Sequence, residues 1–437
     1  VLKFGGTSVG SAQRMKEVAK LITDGERKIV VLSAMSGTTN TLVEISDYLY
    51  KKNPEGANEI INKLETKYKQ HIDELFATPE YKQKGLEIIK SHFDYIRSYT
   101  KDLFTLFEEK VVLAQGELIS TAMVNFYLQE CGVKSVLLPA LEFMRTDKNA
   151  EPDPIYIKEK LLAQLELYPD ADIYITQGFI CRNAYGEIDN LQRGGSDYTA
   201  SLIGAAINAS EIQIWTDIDG MHNNDPRIVD KTAPVRQLHF EEAAELAYFG
   251  AKILHPTCIQ PAKYANIPVR LLNTMDPEAP GTLISNDTEK GKIKAVAAKD
   301  NITAIKIKSS RMLLAHGFLR KVFEIFESYQ TSIDMICTSE VGVSVTVDNT
   351  KHLNEILDDL KKYGTVTVDK EMCIICVVGD LEWENVGFEA KALDAMRDIP
   401  VRMISFGGSN YNISFLIREC DKKVALQSLS DMLFNGK

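Results

Sequence analysis

The chain has 437 residues, a formal net charge of −11, and an ordinary balance of 45% hydrophobic and 25% charged residues. This length predicts two or three domains, each with enough apolar residues for a core. The acidic balance, with no basic cluster, argues against nucleic-acid binding. We see no signal peptide and no apolar run near the roughly 18 residues of a membrane span, so no membrane partner is expected.

Seven cysteines, an odd number scattered along a long chain, indicate reduced thiols and a cytoplasmic location. Cys373 and Cys376 form a CxxC inside a strand-like apolar run. Because no second pair and no histidine lie at ligand spacing, we interpret them as small buried hydrophobic residues. No metal ligand from the protein is expected.

The first part of the chain alternates predicted strands and helices. In chain order the elements are a strand at 1–4, a helix at 12–23, a strand at 29–34, a helical region at 41–129 with breaks at Pro54 and Pro79, and strands at 135–139, 172–176, 211–216 and 267–272. The strands read as nearly continuous apolar runs, which is typical of buried parallel strands. The pattern predicts an α/β domain with a mainly parallel sheet and ligands at the carboxyl ends of its strands.

Shorter elements follow a segment rich in proline and glycine at 277–291, which we take as a domain boundary. The predicted elements are strand 303–308, helix 317–329, strands 332–338 and 341–347, helix 351–362 and strand 365–368, then strand 372–379, helix 387–396, strands 401–406 and 411–417, and helix 422–434. Both sets follow a ferredoxin-like βαββα(β) order, and the second lacks a visible last strand. We predict domains at 1–290, 291–370 and 371–437, and call the last two the first repeat and the second repeat.

The two repeats also share residues. Gly317-Phe318 recurs as Gly387-Phe388, and Ile333-Asp334 recurs as Val401-Arg402. Two readings stay open at this point: a pair of small ligand sensors, or two copies of a common fold with no ligand.

Two glycine pairs predict anion sites. Lys3 precedes Gly5-Gly6 at the end of a predicted strand, where a glycine loop can surround phosphate oxygens and lysine supplies a charge. The alternative is a solvated lysine before an ordinary turn. Neither a GxxxxGK[ST] nor a GxGxxG motif occurs, so a phosphoryl-transfer site would rest on other loops.

The second pair, Gly194-Gly195, lies between Arg193 and Asp197, and a helix-compatible run follows. A helix that begins here points free N–H groups at an anion, and arginine fits a carboxylate or phosphate with two hydrogen bonds. Glu117 follows a glycine inside a helical stretch, where glycine suggests a close contact. It either binds an ammonium group or is a surface carboxylate.

Segments after two further strands could also hold a ligand. The stretch at 33–40 contains small hydroxyl residues and a glycine, which fit either a substrate contact or a helix cap. The polar turn at 216–227 fits either a nucleotide contact or a loop of Asx turns. Lys252 could reach phosphates, whereas His255 before a proline is expected to shape a turn.

Taken in order, KFGGTSV, QGE, QRGGSDYTA, WTDIDG, DPR and FGAKILHP closely resemble the aspartokinase family. The resemblance covers essentially the whole chain and is closest to monofunctional members of the lysine-sensitive type. It implies an amino-acid kinase fold, with a mainly parallel sheet sandwiched by helices, followed by two ferredoxin-like ACT domains. It also implies ATP-dependent phosphorylation of the side-chain carboxylate of L-aspartate to 4-phospho-L-aspartate, with Mg²⁺, as the first step toward lysine, threonine and methionine.

The resemblance implies roles for individual residues. Lys3 would stabilise charge on the moving phosphoryl group, and Asp197 would organise Lys3 and the substrate amine. Substrate contacts are implied at Thr39, Glu117 (α-ammonium), Arg193 (α-carboxylate), Gly194, Gly195 and Ser196. ATP contacts are implied at Lys3, Gly5, Gly6, Thr216, Asp217, His222, Arg227 and Lys252; the family usually has tyrosine where this chain has His222.

The resemblance further implies regulation by L-lysine at a dimer interface between ACT domains. The effector loop would contain Met312, Ala315, His316, Gly317, Phe318 and Leu319. A facing strand across the interface would contribute Ser332, Ile333, Asp334, Thr338, Ser339 and Glu340. A homodimer or a dimer of dimers is expected. The alternatives are a non-catalytic amino-acid sensor with the same fold and a kinase acting on glutamate or acetylglutamate.

Overall fold

The computed structural model describes residues 1–191, 194–251, 254–309 and 316–436. It divides into two compact units, one of residues 1–221 with 253–286 and one of residues 222–252 with 287–437. The predicted domain limits remain a prediction. In the structure, segment 222–252 groups with the C-terminal part of the chain.

The described helices are α1 Ala12–Ile22, α2 Thr38–Tyr50, α3 Pro54–Leu75, α4 Pro79–Ser98, α5 Leu106–Glu130, α6 Pro154–Glu166, α7 Gly195–Ile207, α8 Phe240–Tyr248, α9 Pro256–Tyr264, α10 Phe318–Ser328, α11 Leu353–Leu360, α12 Phe388–Ala395 and α13 Lys422–Leu433. The described strands are β1 Leu2–Phe4, β2 Lys28–Leu32, β3 Ser135–Leu138, β4 Ile173–Gln177, β5 Ile180–Arg182, β6 Ile188–Asn190, β7 Ile212–Thr216, β8 Met221–His222, β9 Pro234–Val235, β10 Gln237–His239, β11 Val269–Asn273, β12 Thr282–Ser285, β13 Ile293–Lys308, β14 Ile336–Thr338, β15 Gly342–Val347, β16 Thr365–Gly379, β17 Val401–Ser405 and β18 Asn412–Arg418.

A mainly parallel sheet forms the centre of the first unit, as predicted. Its strands follow the order β12-β11-β7-β1-β2-β4-β3. Neighbours from β11 to β3 pair in parallel, and β12 pairs antiparallel with β11. Strand β1 lies between β7 and β2, with Leu2 and Phe4 buried. The loop after β1 is therefore at the middle of the carboxyl edge, where ligands bind in sheets of this kind.

The predicted helical region becomes α2 to α5, and Pro54 and Pro79 occupy the first turns of α3 and α4. Proline is tolerated there because its missing N–H has no helical partner. Gly116 lies in the middle of α5, and a Cβ at that position would lie 3.0 Å from Cβ of Ala34 and 3.2 Å from Cγ2 of Thr38. The close contact expected from a glycine inside a helix is thus present.

The second unit contains an antiparallel sheet with the order β14-β15-β13-β16-β18-β17. The prediction of separate strands at 365–368 and 372–379 was wrong, because both belong to β16. The predicted strand at 303–308 likewise begins earlier, at Ile293. Residues 293–299 of β13 pair with the second half of β16, and they supply the last strand that the second repeat lacked in the sequence pattern.

The two ferredoxin-like repeats are therefore parts of one sheet. Helices α10 and α11 pack on the first repeat's half of the sheet, and α12 and α13 pack on the second repeat's half. Each repeat has its own apolar core. Cys373 and Cys376 are fully buried in β16, and burial raises the pKa of both thiols. The interpretation of this CxxC as buried hydrophobic residues is confirmed.

Of the described helices, α5 alone is long and apolar enough to cross a membrane by length and composition, contrary to our expectation that no apolar stretch would approach that length. However, 78% of its most apolar stretch is buried inside the protein. The helix also packs against α2, α4 and the strands of the parallel sheet. This is the arrangement of a core helix in a globular domain.

The tight packing at Gly116 makes a stability prediction. Substitution Gly116→Val places methyl groups against Ala34 and Thr38 and should lower the free energy of unfolding by about 1–3 kcal/mol through overpacking. The control is Lys90→Val on the exposed face of α4, which should cost about 0.5 kcal/mol from helix propensity alone. Urea denaturation measures both, and equal losses at the two positions would contradict the packing explanation.

Candidate active site

A pocket of about 280 Å³ opens at the carboxyl edge of the parallel sheet in the first unit. Its walls come from the turns after β1, β2 and β4, from the first turns of α2 and α7, and from the middle of α5. The lining residues are Gly6, Ser33, Ala34, Met35, Ser36, Gly37, Thr39, Glu117, Phe179, Gly195 and Ser196. Segments that are distant in the sequence thus meet where the strand pattern predicted a ligand.

The first glycine turn lies directly against the turn after β2. The carbonyl of Gly6 accepts a hydrogen bond of 3.1 Å from the N–H of Ser36. A Cβ at Gly6 would lie only 2.9 Å from the carbonyl oxygen of Ala34, so a larger residue would force the two turns apart. A Cβ at Gly5 would lie 3.4 Å from Nζ of Lys3. Glycine at both positions keeps the backbone accessible beside an ammonium group.

The second glycine turn begins helix α7. Gly194 caps the helix in the left-handed region (φ 81°), and Gly195 is also left-handed (φ 46°). A Cβ at Gly194 would lie 2.7 Å from Sγ of Cys258. The first N–H groups of α7 have no helical acceptors, and together with the helix dipole they favour an anion in front of the helix. The sequence prediction of a helix that starts at this turn is confirmed.

An ion pair connects the two glycine turns. Nζ of Lys3, on β1, lies 2.7 Å from Oδ1 of Asp197, in the first turn of α7. The two side chains are 12% and 17% exposed. The partly buried pair fixes the lysine ammonium between the turns, where it can attract an anion while Asp197 limits the uncompensated charge.

Glu117 is the one charged residue among the described lining residues of the pocket, and only 4% of it is exposed. Its Oε1 accepts a weak hydrogen bond of 3.4 Å from the N–H of Ala34, whereas Oε2 is buried without a hydrogen-bond partner among the described residues. Burial raises the pKa of this carboxyl group to about 8. A buried carboxylate with a free oxygen favours a cation that enters the pocket.

One lining residue, Phe179, was missed by the sequence reasoning, whereas Ser33 lies in the stretch 33–40 that it had singled out. Ser33 Oγ donates to Ser196 Oγ over 2.9 Å, which joins the turn after β2 to the start of α7. Phe179 has a left-handed backbone (φ 71°) and its N–H donates to Oγ1 of Thr199. The sequence signal that could have found Phe179 is the preceding Gly178, which follows a predicted strand. The structure shows why glycine is needed there, because a Cβ would collide with Ser196.

The predicted nucleotide residues are placed in different parts of the chain. Thr216 ends β7, its carbonyl accepts hydrogen bonds from both the N–H and the hydroxyl of Thr274, and the adjacent Asp217 is exposed. His222 and Arg227 belong to the second unit. There Nδ1 of His222 pairs with the hydroxyl of Thr232 at 2.8 Å, and the exposed guanidinium of Arg227 forms an ion pair of 2.7 Å with Asp225.

Two predicted site residues, Arg193 and Lys252, lie outside the described residues, as do Met312 and Ala315 of the predicted effector loop. His255, expected to shape a turn, caps α9 and accepts a hydrogen bond from the N–H of Thr257. Among the described residues no group of three histidine, cysteine, aspartate or glutamate side chains comes together as a metal site.

The described effector residues lie in the first repeat. Gly317 caps α10 in the left-handed region, followed by buried Phe318 and exposed Leu319. Ser332, Ile333 and Asp334 precede β14, and Thr338, Ser339 and Glu340 end it and form the exposed turn to β15. The side chain of Asp334 is only 1% exposed.

The family model of the amino acid kinase family matches residues 1–273, and an ACT domain model matches residues 375–433. The chain is 36% identical to aspartokinase 1 of Arabidopsis thaliana, over 100% of this chain and 80% of that protein. It is 33% identical to lysine-sensitive aspartokinase 3 of Escherichia coli, over 99% of both.

The chain belongs to the aspartokinase family. A crystal structure of E. coli aspartokinase III in complex with aspartate and ADP, in its R-state, superposes over 99% of both chains with a TM-score of 0.85 and 32% identity. The T-state structure of that enzyme with lysine and aspartate superposes over 99% of both chains with a TM-score of 0.80 and 33% identity. The predicted aspartokinase fold and the prediction of an aspartate kinase enzyme are confirmed.

The raised pKa of Glu117 makes stability depend on pH. The folded protein retains the carboxyl proton up to a pKa of about 8, above the ordinary value of 4.5, so stability is lost as pH rises between these values. The wild type loses at most about 1.4 kcal/mol of stability per pH unit in this range, and Glu117→Gln removes the loss because glutamine does not titrate. Urea denaturation at pH 5 and pH 8 should show a variant that gains stability over the wild type at pH 8.

The control for this experiment is Glu87→Gln, on the exposed face of α4. It removes the same charge without a change in a buried group, so its difference from the wild type should be similar at both pH values. A Glu117→Gln difference that is equally independent of pH would contradict the raised pKa.

Proposed function

We propose that the chain transfers the γ-phosphoryl group of ATP to the side-chain carboxylate of L-aspartate, giving 4-phospho-L-aspartate. This would be the first step toward lysine, threonine and methionine. The observation that carries the proposal is the pocket in which the two glycine turns meet the buried Glu117, together with the Lys3–Asp197 ion pair that connects the same two turns. Both proposed substrates are anions, and the pocket offers them an ammonium group, a helix N-terminus and accessible backbone N–H groups.

The aspartate substrate would be held by both of its charged ends. Glu117 has a buried oxygen without a partner, which suits the α-ammonium group, and its proton would leave as the ammonium binds. Arg193 is proposed to hold the α-carboxylate through two parallel hydrogen bonds. Thr39, Gly194, Gly195 and Ser196 would complete this part of the pocket. The reacting carboxylate is already ionised at neutral pH, so no general base is required.

The phosphates of ATP would lie near the first glycine turn. Gly5 and Gly6 leave the backbone accessible, and Lys3 would stabilise the charge that spreads over the moving phosphoryl group. Thr216, Asp217, His222, Arg227 and Lys252 are proposed to contact the rest of the nucleotide. Mg²⁺ bound to the phosphates would neutralise part of their charge. The chain's own contribution is then alignment and electrostatic stabilisation.

We further propose inhibition by L-lysine at the ACT domains, with a homodimer or dimer of dimers as the assembled form. The lysine-sensitive E. coli relative and its lysine-bound T-state structure support this proposal. Asp334 and Glu340 would face the cationic effector, and Gly317 would leave room for it at the start of α10. The cytoplasmic location stays a prediction.

The catalytic proposal is tested by trapping the acyl phosphate with hydroxylamine after incubation with ATP and candidate amino acids. Aspartate, and not glutamate or acetylglutamate, should give the hydroxamate. Lys3→Met should lower kcat by about 10²–10⁴-fold, since it removes an electrostatic contact made in the transition state. The control Lys28→Met removes a lysine at the start of β2, outside the pocket, and should retain kcat. No hydroxamate with aspartate would indicate the non-catalytic sensor instead.

The regulatory proposal is tested by initial rates at saturating ATP with added lysine or threonine. Lysine should inhibit with a sigmoidal dependence, as expected for sites shared between subunits, and threonine should not. A rate unaffected by lysine at tens of millimolar would remove this part of the proposal while leaving the catalytic part intact.

A further inference from the structure

A cluster of polar side chains in the second unit, with Asp334 almost fully buried and Tyr248 43% exposed, connects the proposed effector site to the end of helix α8. Oδ1 of Asp334 lies 2.7 Å from Nζ of Lys299 on β13 and accepts a hydrogen bond of 3.1 Å from the hydroxyl of Tyr248, the last residue of α8. Nζ of Lys299 also lies 3.0 Å from Asp348 and 4.6 Å from the centre of the Tyr248 ring. Three side chains from different segments of the chain thus converge on the ammonium group of Lys299.

The two oxygens of Asp334 have different surroundings. Oδ1 has both partners, whereas Oδ2 is buried without a hydrogen-bond partner among the described residues. Since the side chain is only 1% exposed, rotation of the carboxylate would break the contacts to Lys299 and Tyr248. Those contacts therefore keep one defined oxygen available for a further donor.

A second contact fixes the end of α8 to the same part of β13. Gly250 has a left-handed backbone (φ 114°), and a Cβ there would collide with the carbonyl oxygen of Ala298, the residue before Lys299. The segment after α8 leads directly to Lys252, which we propose as a nucleotide contact. A change at Asp334 would consequently reach that segment through Tyr248 and through the backbone beside Lys299.

The second repeat contains the same pair with its charges reversed. The two long strands correspond at Asn301 of β13 and Glu371 of β16, which both have a left-handed backbone (φ 58° and 56°). Lys299 and Asp369 each lie two residues before these positions and are therefore equivalent. Asp369 lies 2.8 Å from Arg402, which corresponds in the repeat to Asp334.

The second repeat has a pocket of about 480 Å³ beside Asp369 and Arg402. The described lining residues of that pocket include Lys370, Arg402 and Arg418 and no aromatic side chain. The one carboxylate among the described lining residues, Asp369, is already paired with Arg402, so a cationic effector meets more positive than negative groups in the second repeat. This difference favours the first repeat for lysine.

We propose that Tyr248 is a positioning residue of the effector site. Its hydroxyl and Lys299 hold Oδ1 of Asp334, so that Oδ2 receives an ammonium group of the effector, and the end of α8 transmits this event to the segment that carries Lys252. The inference rests on the lysine regulation proposed above and adds to it a residue outside the predicted effector set.

The test is Tyr248→Phe, which removes the hydroxyl and keeps the ring over Lys299. We expect the lysine concentration for half-inhibition to rise by about tenfold, because a hydrogen bond to a charged group is lost. Without lysine, kcat and both KM values should stay within about twofold of the wild type. Calorimetric titration with lysine in the absence of substrates should show the same loss of affinity.

The matched control is Tyr329→Phe, whose hydroxyl donates to Asp359 over 2.8 Å in the same repeat. It removes an equivalent tyrosine–aspartate hydrogen bond away from Asp334, so the half-inhibiting concentration should not change. An unchanged value in Tyr248→Phe, or equal shifts in both variants, would overturn the inference while lysine regulation stands. A wild type that lysine neither inhibits nor binds would remove both.

Discussion

The close approach of two backbone turns at the centre of the parallel sheet is the constraint on which the site depends. There is no room for a side chain at Gly6, because a Cβ would lie 2.9 Å from the carbonyl oxygen of Ala34. A hydrogen bond from the N–H of Ser36 to the carbonyl of Gly6 holds the two turns together. Because the turns are adjacent, the start of α7 and the middle of α5 can reach the same small volume. Side chains such as Lys3 and Glu117 are then held by the framework, which reduces the cost of ordering them around a ligand.

The electrostatics of the pocket contrast with those of the whole chain. A protein with a net charge of −11 must concentrate positive potential locally to bind two anions. In the proposed function this potential comes from Lys3, which is already paired to Asp197, and from the N–H groups at the start of α7. Paired and dipolar groups of this kind need little rearrangement when charge moves during a reaction. In the same pocket, the carboxyl group of Glu117 favours a cation.

Much of this could be predicted from the sequence, because local rules determine it. Apolar runs marked the parallel strands, prolines marked the starts of α3 and α4, and glycine pairs after strands marked both turns of the pocket. What could not be predicted depends on contacts between distant segments. Phe179 has no recognisable motif and lines the pocket only because β4 ends beside α7. The partner of Asp334 was also hidden, since Lys299 precedes the predicted strand 303–308, in a part of β13 that the pattern did not identify as a strand.

The continuous strands β13 and β16 have a consequence for how the regulatory part of the chain is built. Each strand contributes one half to each repeat, and the hydrogen-bond ladders of the two repeats meet within these strands at a shift in register between Lys299 and Ala304. A fragment that contains only residues 371–437 would have an unpaired edge along β16, because it would lack residues 293–299 of β13. The tandem arrangement is thus one interleaved body in which each repeat is built from a part of both long strands.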